Sequence, residues 1–224
     1  AQAKRFLDEG FTHIKVKLGK NADDDILRIA TLRNALGPDI PLRIDANQGW
    51  TVEEAIHVLR SIEKYNVEHC EQPVHRKDYI GMKKVKDHAN IHIMADESLN
   101  DSQDARLIID QHCCHEFNIK FGKSGGILEA TRIAEIASNS NITCQVGCFN
   151  ESVLGISALA HFALAHDIIH YFDMDSPLMM SVNPIIGGVQ YKDGGEVVLN
   201  NAIGIGCDVD GGFLERLDMV TVRI

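Results

Sequence analysis

The sequence has 224 residues, of which 45% are hydrophobic and 24% are charged, and its formal net charge at pH 7 is −10. These values are typical of a globular protein and argue against a disordered chain. The acidic balance and the lack of a Lys/Arg block argue against nucleic acid or an anionic membrane as a partner, so small-molecule chemistry is the default. No apolar run reaches transmembrane length and the first residues lack a signal-peptide core, so a cytoplasmic location is expected.

Short β-rich runs recur along the chain and predict seven strands. Each run is rich in aliphatic or β-branched residues, and turn or helix signals follow it. The predicted strands are residues 12–18, 41–45, 67–71, 91–96, 116–120, 142–146 and 169–172.

Helical spacing of apolar residues precedes the first strand and follows every strand but the last. The helix that begins near Val52 has the clearest start, because Thr51 and Glu54 have the spacing of a capping box. The predicted helices are residues 1–9, 22–36, 52–62, 79–88, 102–111, 127–138 and 152–166.

The strict alternation of strand and helix predicts a parallel sheet, either doubly wound or closed into a barrel. No Gly-x-Gly-x-x-Gly sequence follows any strand, which removes the main signal for a dinucleotide-binding sheet. The pattern ends after Pro177, where residues 189–191 and 196–199 flank a turn sequence and predict a β-hairpin. We therefore expect an α/β, TIM-type (β/α) barrel followed by a short hairpin tail.

Lys15 and Lys17 lie two residues apart in the first predicted strand, so both ammonium groups should point to the same side of the sheet. Like charges placed side by side disfavour the charged form, which can lower the pKa of a lysine enough to make it a base. The alternative interpretation is an edge strand with two solvated lysines.

A polar residue ends each of the first five strands, at intervals of 28, 26, 25 and 24 residues. In a barrel, these strand ends open onto the face where barrel enzymes keep their chemistry. Any one of the carboxylates could instead cap a helix or be a solvated strand end. The series is Lys17, Asp45, Glu71, Asp96 and Lys120.

Three carboxylates on adjacent strands, without a thiol or an imidazole, predict an oxygen-only site that suits Mg²⁺ and disfavours zinc. If one strand is counted ahead of residue 12, Lys17 falls on strand two and Lys120 on strand six. These two strands are opposite each other in an eight-stranded ring. A substrate carboxylate on the metal would then have a lysine on each side of its α-carbon. This arrangement predicts a 1,1-proton transfer through an ene-diolate.

Short sequence motifs surround the polar strand ends. They are Gly10-Phe11, Ile14-Lys15-Val16-Lys17, Ile44-Asp45-Ala46-Asn47, Glu71-Gln72-Pro73, Ala95-Asp96-Glu97-Ser98, Asn118-Ile119-Lys120 and Gly125-Gly126. With these motifs, residues 10 to about 182 resemble the muconate-lactonizing-enzyme subgroup of the enolase superfamily. By this resemblance Lys17 and Lys120 are the acid/base pair and Lys15 tunes Lys17. Lys123 is an alternative to Lys120 in this role, but it lies beyond the strand end. Asp45, Glu71 and Asp96 are by the same resemblance the metal ligands.

Asp173 and Asp175 resemble the Asp-x-Asp motif of the dipeptide epimerases in this subgroup, which holds the ammonium of the substrate. An acidic turn before Pro177 is the alternative. The end of the strand at residues 142–146 resembles the family's pocket-lining sequence, so Cys148 and Asn150 are expected to contact substrate, although Asn150 replaces an apolar residue.

The resemblance implies Mg²⁺-dependent epimerisation of a dipeptide of the L-Ala-D/L-Glu kind at its C-terminal residue. An o-succinylbenzoate-synthase-like dehydratase, an N-acylamino-acid racemase and an inactive relative remain alternatives. Residues 1–182 are expected to form a catalytic barrel that lacks strand one, and residues 183–224 a tail returning to an absent N-terminal capping domain. The expected partner is a small dipeptide, and a homo-oligomer is compatible with the sequence.

Overall fold

The computed structural model describes residues 1–218 and 220, and its centre is a seven-stranded parallel sheet. The strands are hydrogen-bonded in the order in which they occur in the chain, as a curled barrel sheet requires. They are β1 (Ile14–Lys17), β2 (Leu42–Asp45), β3 (Val67–Glu71), β4 (His92–Ala95), β5 (Glu116–Ile119), β6 (Thr143–Val146) and β7 (Ile169–Phe172).

Helices connect the successive strands, and several begin at a capping residue. Asn21, Asp78 and Asp101 accept hydrogen bonds from backbone N–H groups of the helices they precede, and Thr51 forms the expected capping box with Glu54. The helices are α1 (Gln2–Asp8), α2 (Ala22–Leu36), α3 (Val52–Ile62), α4 (Tyr79–His88), α5 (Ser102–Asp110), α6 (Phe121–Ser124), α7 (Ile127–Asn139), α8 (Val153–Leu164) and α9 (Gly211–Leu214).

The hydrophobic core lies between the sheet and its helices. The outward-facing strand residues Ile44 and Phe117 are fully buried, as are Leu59 of α3 and Ile108 of α5. The alternate strand residues point into the barrel and are largely polar, because a side chain changes face at each step along a strand. The apolar layer therefore holds the sheet in shape, while the interior is free to carry chemistry.

The strand register places the polar strand ends side by side. Lys17 is opposite Asp45 in the pairing of β1 with β2, and Asp45 is opposite Glu71 in the pairing of β2 with β3. All seven strands run in the same direction, so their carboxyl ends form one mouth.

The prediction of an α/β barrel with a hairpin tail is confirmed. The hairpin consists of β9 (Gln190–Tyr191) and β10 (Val197–Val198), whose Tyr191 is opposite Val197. The sequence analysis missed the one-turn helix α6 and the antiparallel pair of β8 (Ile185–Gly187) with β11 (Cys207–Val209). Both strands of this pair are only three residues long, too short for a periodic pattern to show.

Several hydrogen bonds join the tail to the barrel. The Ser157 hydroxyl of α8 accepts a hydrogen bond from the Val189 N–H at 2.9 Å, and the Tyr191 hydroxyl donates to the Met174 carbonyl at 2.5 Å. The division at residue 182 and the role of the tail towards a capping domain stay predictions. None of the helices described is both long and apolar enough to cross a membrane.

His115 lies just before β5, at the end of the barrel opposite the mouth, and should make the free energy of unfolding depend on pH. Its Nδ1 accepts a hydrogen bond from the Ile93 N–H at 2.9 Å, and its ring stacks on His92 with centroids 4.7 Å apart. Burial and the neighbouring His92 lower the pKa of His115 to about 4. In the unfolded chain a histidine has a pKa of about 6.5. The stability that comes from the neutral ring is therefore present above pH ~6.5 and is lost as the pH falls towards ~4.

We expect His115→Gln to flatten the decline in the free energy of unfolding between pH 6.5 and 4.5, because glutamine takes up no proton in this range. Urea denaturation at several pH values measures the slope. His112→Asn, at an exposed position on the same loop, is the matched control and should keep the wild-type slope. Equal slopes for His115→Gln and wild type would contradict the prediction.

Candidate functional site

Three carboxylates meet at the mouth of the barrel. Asp45 ends β2, Glu71 ends β3, and Asp96 follows β4, and each is at most 1% exposed. One oxygen from each carboxylate lies within 4.8 Å of the others, and of the residues described these three form the group suited to a metal ion. The structure thus brings together the three residues predicted as metal ligands.

The donor set fits a hard divalent cation. Only carboxylate oxygens converge, which is the preference of Mg²⁺ and not of zinc. Buried carboxylates this close repel one another unless positive charge is near. In this structure lysine ammonium groups supply that charge. The ion pairs are Lys15–Glu71 at 2.7 Å, Lys17–Asp45 at 2.5 Å, Lys120–Asp96 at 2.6 Å and Lys123–Asp96 at 2.5 Å.

Lys15 and Lys17 both point into the mouth, as their spacing predicts, but they have different neighbours. Lys15 Nζ lies 2.7 Å from both Glu71 and Asp173, whereas Lys17 Nζ lies against Asp45. Burial favours a lower pKa for Lys15, but Glu71, Asp173 and Asp45 together raise it well above its ordinary value. Lys15 is therefore a fixed positive charge in the site, as its predicted role towards Lys17 requires. That role stays a prediction.

Lys120 lies on the far side of the carboxylate cluster from Lys17. It follows β5, and β1 is separated from β5 by the three strands that carry the carboxylates. Burial favours a lower pKa for Lys120, but Asp96 and Glu71 raise it above its usual range. Lysines thus flank the cluster on two sides.

Lys123 is the alternative lysine near β5, and its position differs from that of Lys120. Its Nζ donates to Asp96 Oδ1 and to the carbonyls of Asp96 and Asn118. Burial lowers its pKa although Asp96 opposes that shift. With three acceptors around one ammonium group, Lys123 is held beneath Asp96 and supports the loop that carries this carboxylate.

Amides to which the sequence analysis assigned no role fix the orientation of the carboxylates. Asn118 Nδ2 donates to Glu71 Oε1 at 2.8 Å, and Gln145 Nε2 donates to Glu71 Oε2 at 3.3 Å. Gln72 Oε1 accepts from the N–H groups of Asp96 and Ser98. The sequence does indicate where Asn118 lies. It is two residues before Lys120, so the two side chains must lie on the same face of the strand.

The residues predicted to bind substrate also lie at the mouth. Asp173 follows β7 and is paired with Lys15, while Asp175 is exposed, with its Oδ1 4.0 Å from Cys148 Sγ. Lys15 outweighs burial and holds the pKa of Asp173 below its usual range. Although Asp175 is exposed as a residue, partial desolvation of its carboxylate and the charge of Asp173 raise its pKa. Asn150 is exposed in the loop between β6 and α8. Their contact with substrate stays a prediction.

Comparisons with known proteins agree with this geometry. A sequence profile described as "Enolase C-terminal domain-like" matches residues 1–212. The chain is 41% identical to the D-Ala-D/L-Ala epimerase of Cytophaga hutchinsonii over 223 residues, which are 100% of this chain and 61% of the relative. It is also 41% identical to the L-Ala-D/L-Glu epimerase of Bacillus subtilis over 197 residues, which are 86% of this chain and 53% of the relative.

A solved structure is similar over nearly the whole chain. The dipeptide epimerase from Cytophaga hutchinsonii, complexed with Mg and the dipeptide D-Ala-L-Val, superposes with a TM-score of 0.95 at 42% identity. The match covers 97% of this chain and 59% of that chain. The chain therefore spans about three fifths or less of the length of these relatives.

Proposed function

Because the chain belongs to the enolase C-terminal domain-like family, we propose that it is the catalytic barrel of a Mg²⁺-dependent dipeptide epimerase. The observation that carries the proposal is the buried triad of Asp45, Glu71 and Asp96 with Lys17 and Lys120 on its two sides. The reaction inverts the α-carbon of the C-terminal residue of a dipeptide.

Asp45, Glu71 and Asp96 would hold the Mg²⁺, with Asn118 and Gln145 keeping the Glu71 carboxylate in place. A bound Mg²⁺ supplies positive charge for the substrate carboxylate, which becomes more negative when the neighbouring α-proton leaves. A structure of a relative with both Mg and a dipeptide supports this assignment.

The proton transfer needs one base on each face of the α-carbon. One lysine, as the neutral amine, takes the α-proton, so the C–H bond breaks and its electron pair stays on carbon, delocalised into the carboxylate. The other lysine, as the ammonium, gives a proton to the opposite face, and a new C–H bond forms with inverted configuration. We assign these roles to Lys17 and Lys120 because they flank the triad, with general acid/base catalysis at each.

Asp173 and Asp175 would bind the ammonium at the N-terminus of the dipeptide. Two carboxylates close together at the mouth attract a cation, and Asp175 is exposed to an incoming ligand. Cys148, beside Asp175, and Asn150 would line the same end of the substrate. We take a small dipeptide as the substrate, while a homo-oligomer and a cytoplasmic location stay predictions.

Incubation with Mg²⁺ and L-Ala-L-Glu or L-Ala-L-Ala in deuterated water tests the proposal. Both dipeptides are used because the relatives differ in the side chain at the C-terminal residue. We expect inversion at the C-terminal α-carbon with one deuterium incorporated there. ¹H NMR is the measurement. N-acetyl-L-Ala-L-Glu, which lacks the ammonium, should turn over far more slowly.

Absence of exchange with every dipeptide tested would contradict the proposal. Equal rates for the free and N-acetylated dipeptides would favour an N-acylamino-acid racemase, and loss of water from a succinylated substrate would favour a dehydratase. An inactive relative would show neither exchange nor binding of Mg²⁺.

A further inference from the structure

Phe149 lies in the loop between β6 and α8, and its ring is turned towards the interior of the mouth. Lys120 Nζ lies 5.2 Å from the centroid of this ring, within the range of a cation–π contact, although Phe149 itself is 52% exposed. Building on the proposed epimerase function, we propose that Phe149 is a positioning residue that holds the Lys120 ammonium on its face of the substrate α-carbon.

The backbone holds the ring of Phe149 in place. A Cβ added to Gly122 would lie 2.8 Å from the ring carbon Cδ2, so the ring rests directly on the Gly122 backbone. Glu151 Oε1 accepts from the Phe149 N–H at 3.5 Å. The Glu151 backbone in turn exchanges two hydrogen bonds with the Ser176 hydroxyl, which ties the loop to the turn after β7. An exposed aromatic side chain is thus given a fixed orientation.

The side chain of Lys120 is confined on the other sides. Its Cε passes close to Gly147, where an added Cβ would lie only 2.9 Å away. Its ammonium group is 2.6 Å from Asp96 Oδ2 and 3.7 Å from Glu71 Oε1. Without an opposing contact, these carboxylates draw the ammonium towards the metal site, and the ring face of Phe149 provides an attraction from the substrate side. The two attractions together define where the ammonium lies.

The contact acts on only one of the two lysines. Lys17 makes no comparable contact with an aromatic ring within residues 1–218 and 220, and its side chain is 63% exposed. Loss of the Phe149 ring should therefore impair proton transfer on the Lys120 face and spare the Lys17 face. A structural defect would instead affect both faces equally, so this asymmetry distinguishes the two explanations.

Phe149→Ala tests the inference with each dipeptide epimer in deuterated water, in the protein that carries this chain. For the epimer deprotonated by Lys120, exchange and inversion should both fall about tenfold, a loss between those of an exposed and of a fully desolvated cation–π contact. For the other epimer, inversion should fall equally, but deuterium should enter the recovered substrate at nearly the wild-type rate, because Lys17 still removes its proton and returns a deuteron. Lys120→Met identifies which epimer is which.

Phe149→Tyr keeps the ring and should restore both rates. Phe172→Ala is the matched control, because Phe172 is a similarly exposed ring (54%) that points out of the barrel, between the inward-facing Tyr171 and Asp173. It should behave as wild type. Equal losses of deuterium exchange for the two epimers in Phe149→Ala, or no loss of inversion, would overturn the inference.

A measurement without turnover separates this inference from the proposed function. In wild type the ring should shift the Lys120 Cε–H signals upfield in ¹³C-lysine NMR spectra, and Phe149→Ala should remove that shift. An unshifted Lys120 signal in wild type would overturn the positioning role. A shifted signal in a protein that inverts no dipeptide would support the contact and refute only the epimerase proposal.

Discussion

Replacement of Lys120 by alanine is expected to lower the rate of epimerisation by about 10³-fold, a typical contribution of one positioned acid or base. The reason is that inversion requires a proton donor or acceptor on each face of the α-carbon, and Lys17 can serve only one of them. The measurement is the rate of inversion of L-Ala-L-Glu or L-Ala-L-Ala at saturating Mg²⁺.

Lys83→Ala is the matched control for this prediction. Lys83 is a half-exposed lysine on α4 whose ion pair with Asp87 lies on the outside of the barrel, so its loss should not change the rate. Stabilisation by Mg²⁺ should persist in Lys120→Ala, since all three carboxylates remain. A rate within tenfold of wild type would show that Lys120 is not the base, and Lys123 would then be the lysine to examine.

Glu71→Gln is expected to remove the stabilisation that Mg²⁺ gives the protein. A ligand that binds only the folded state at 100 times its Kd stabilises that state by about 2.7 kcal/mol. For a chain of this size, such a stabilisation should raise Tm by about 5 to 10 °C. Glu71 is the central carboxylate of the triad, and glutamine keeps its shape while removing its charge. The shift should fall below about 1 °C at the same Mg²⁺ concentration.

Glu116→Gln is the matched control, because Glu116 is also a buried carboxylate inside the barrel but lies at the opposite end of the strands, beside His69 and His92. It should lower the Tm of the metal-free protein yet keep the shift caused by Mg²⁺. Comparing shifts, not absolute Tm values, separates metal binding from the general cost of changing a buried charge. A full Mg²⁺ shift in Glu71→Gln would contradict the assignment of this triad as the metal site.

The fold and the centre of the site could be predicted because both depend on short-range patterns. Alternating strand and helix periods indicated the parallel sheet, and its strands appear close to the expected positions. One polar residue at each strand end placed Asp45, Glu71 and Asp96 at one mouth, and the structure brings them within contact distance of a single ion. The tail was predicted less completely, because β8 and β11 are too short to show a period.

The contacts between strand ends were decided by the tertiary structure. Nothing in the sequence indicates that Lys15 pairs with Asp173, which is 158 residues away, while Lys17 pairs with Asp45. The same holds for Gln72, whose side chain fixes the loop after β4, and for the ring of Phe149 on Lys120. Each of these depends on loop conformations and on which side chains reach one another across the mouth.

The sequence by itself determined which chemical groups enter the mouth, because the period of two along a strand and the common direction of the strands fix the face and the end at which each side chain lies. Only the tertiary structure decided which ammonium group meets which carboxylate, and so which lysine is a fixed charge, which supports a loop and which flanks the triad. The physical reason is that electrostatic pairing depends on distances of a few ångströms between residues far apart in sequence, which no local pattern encodes.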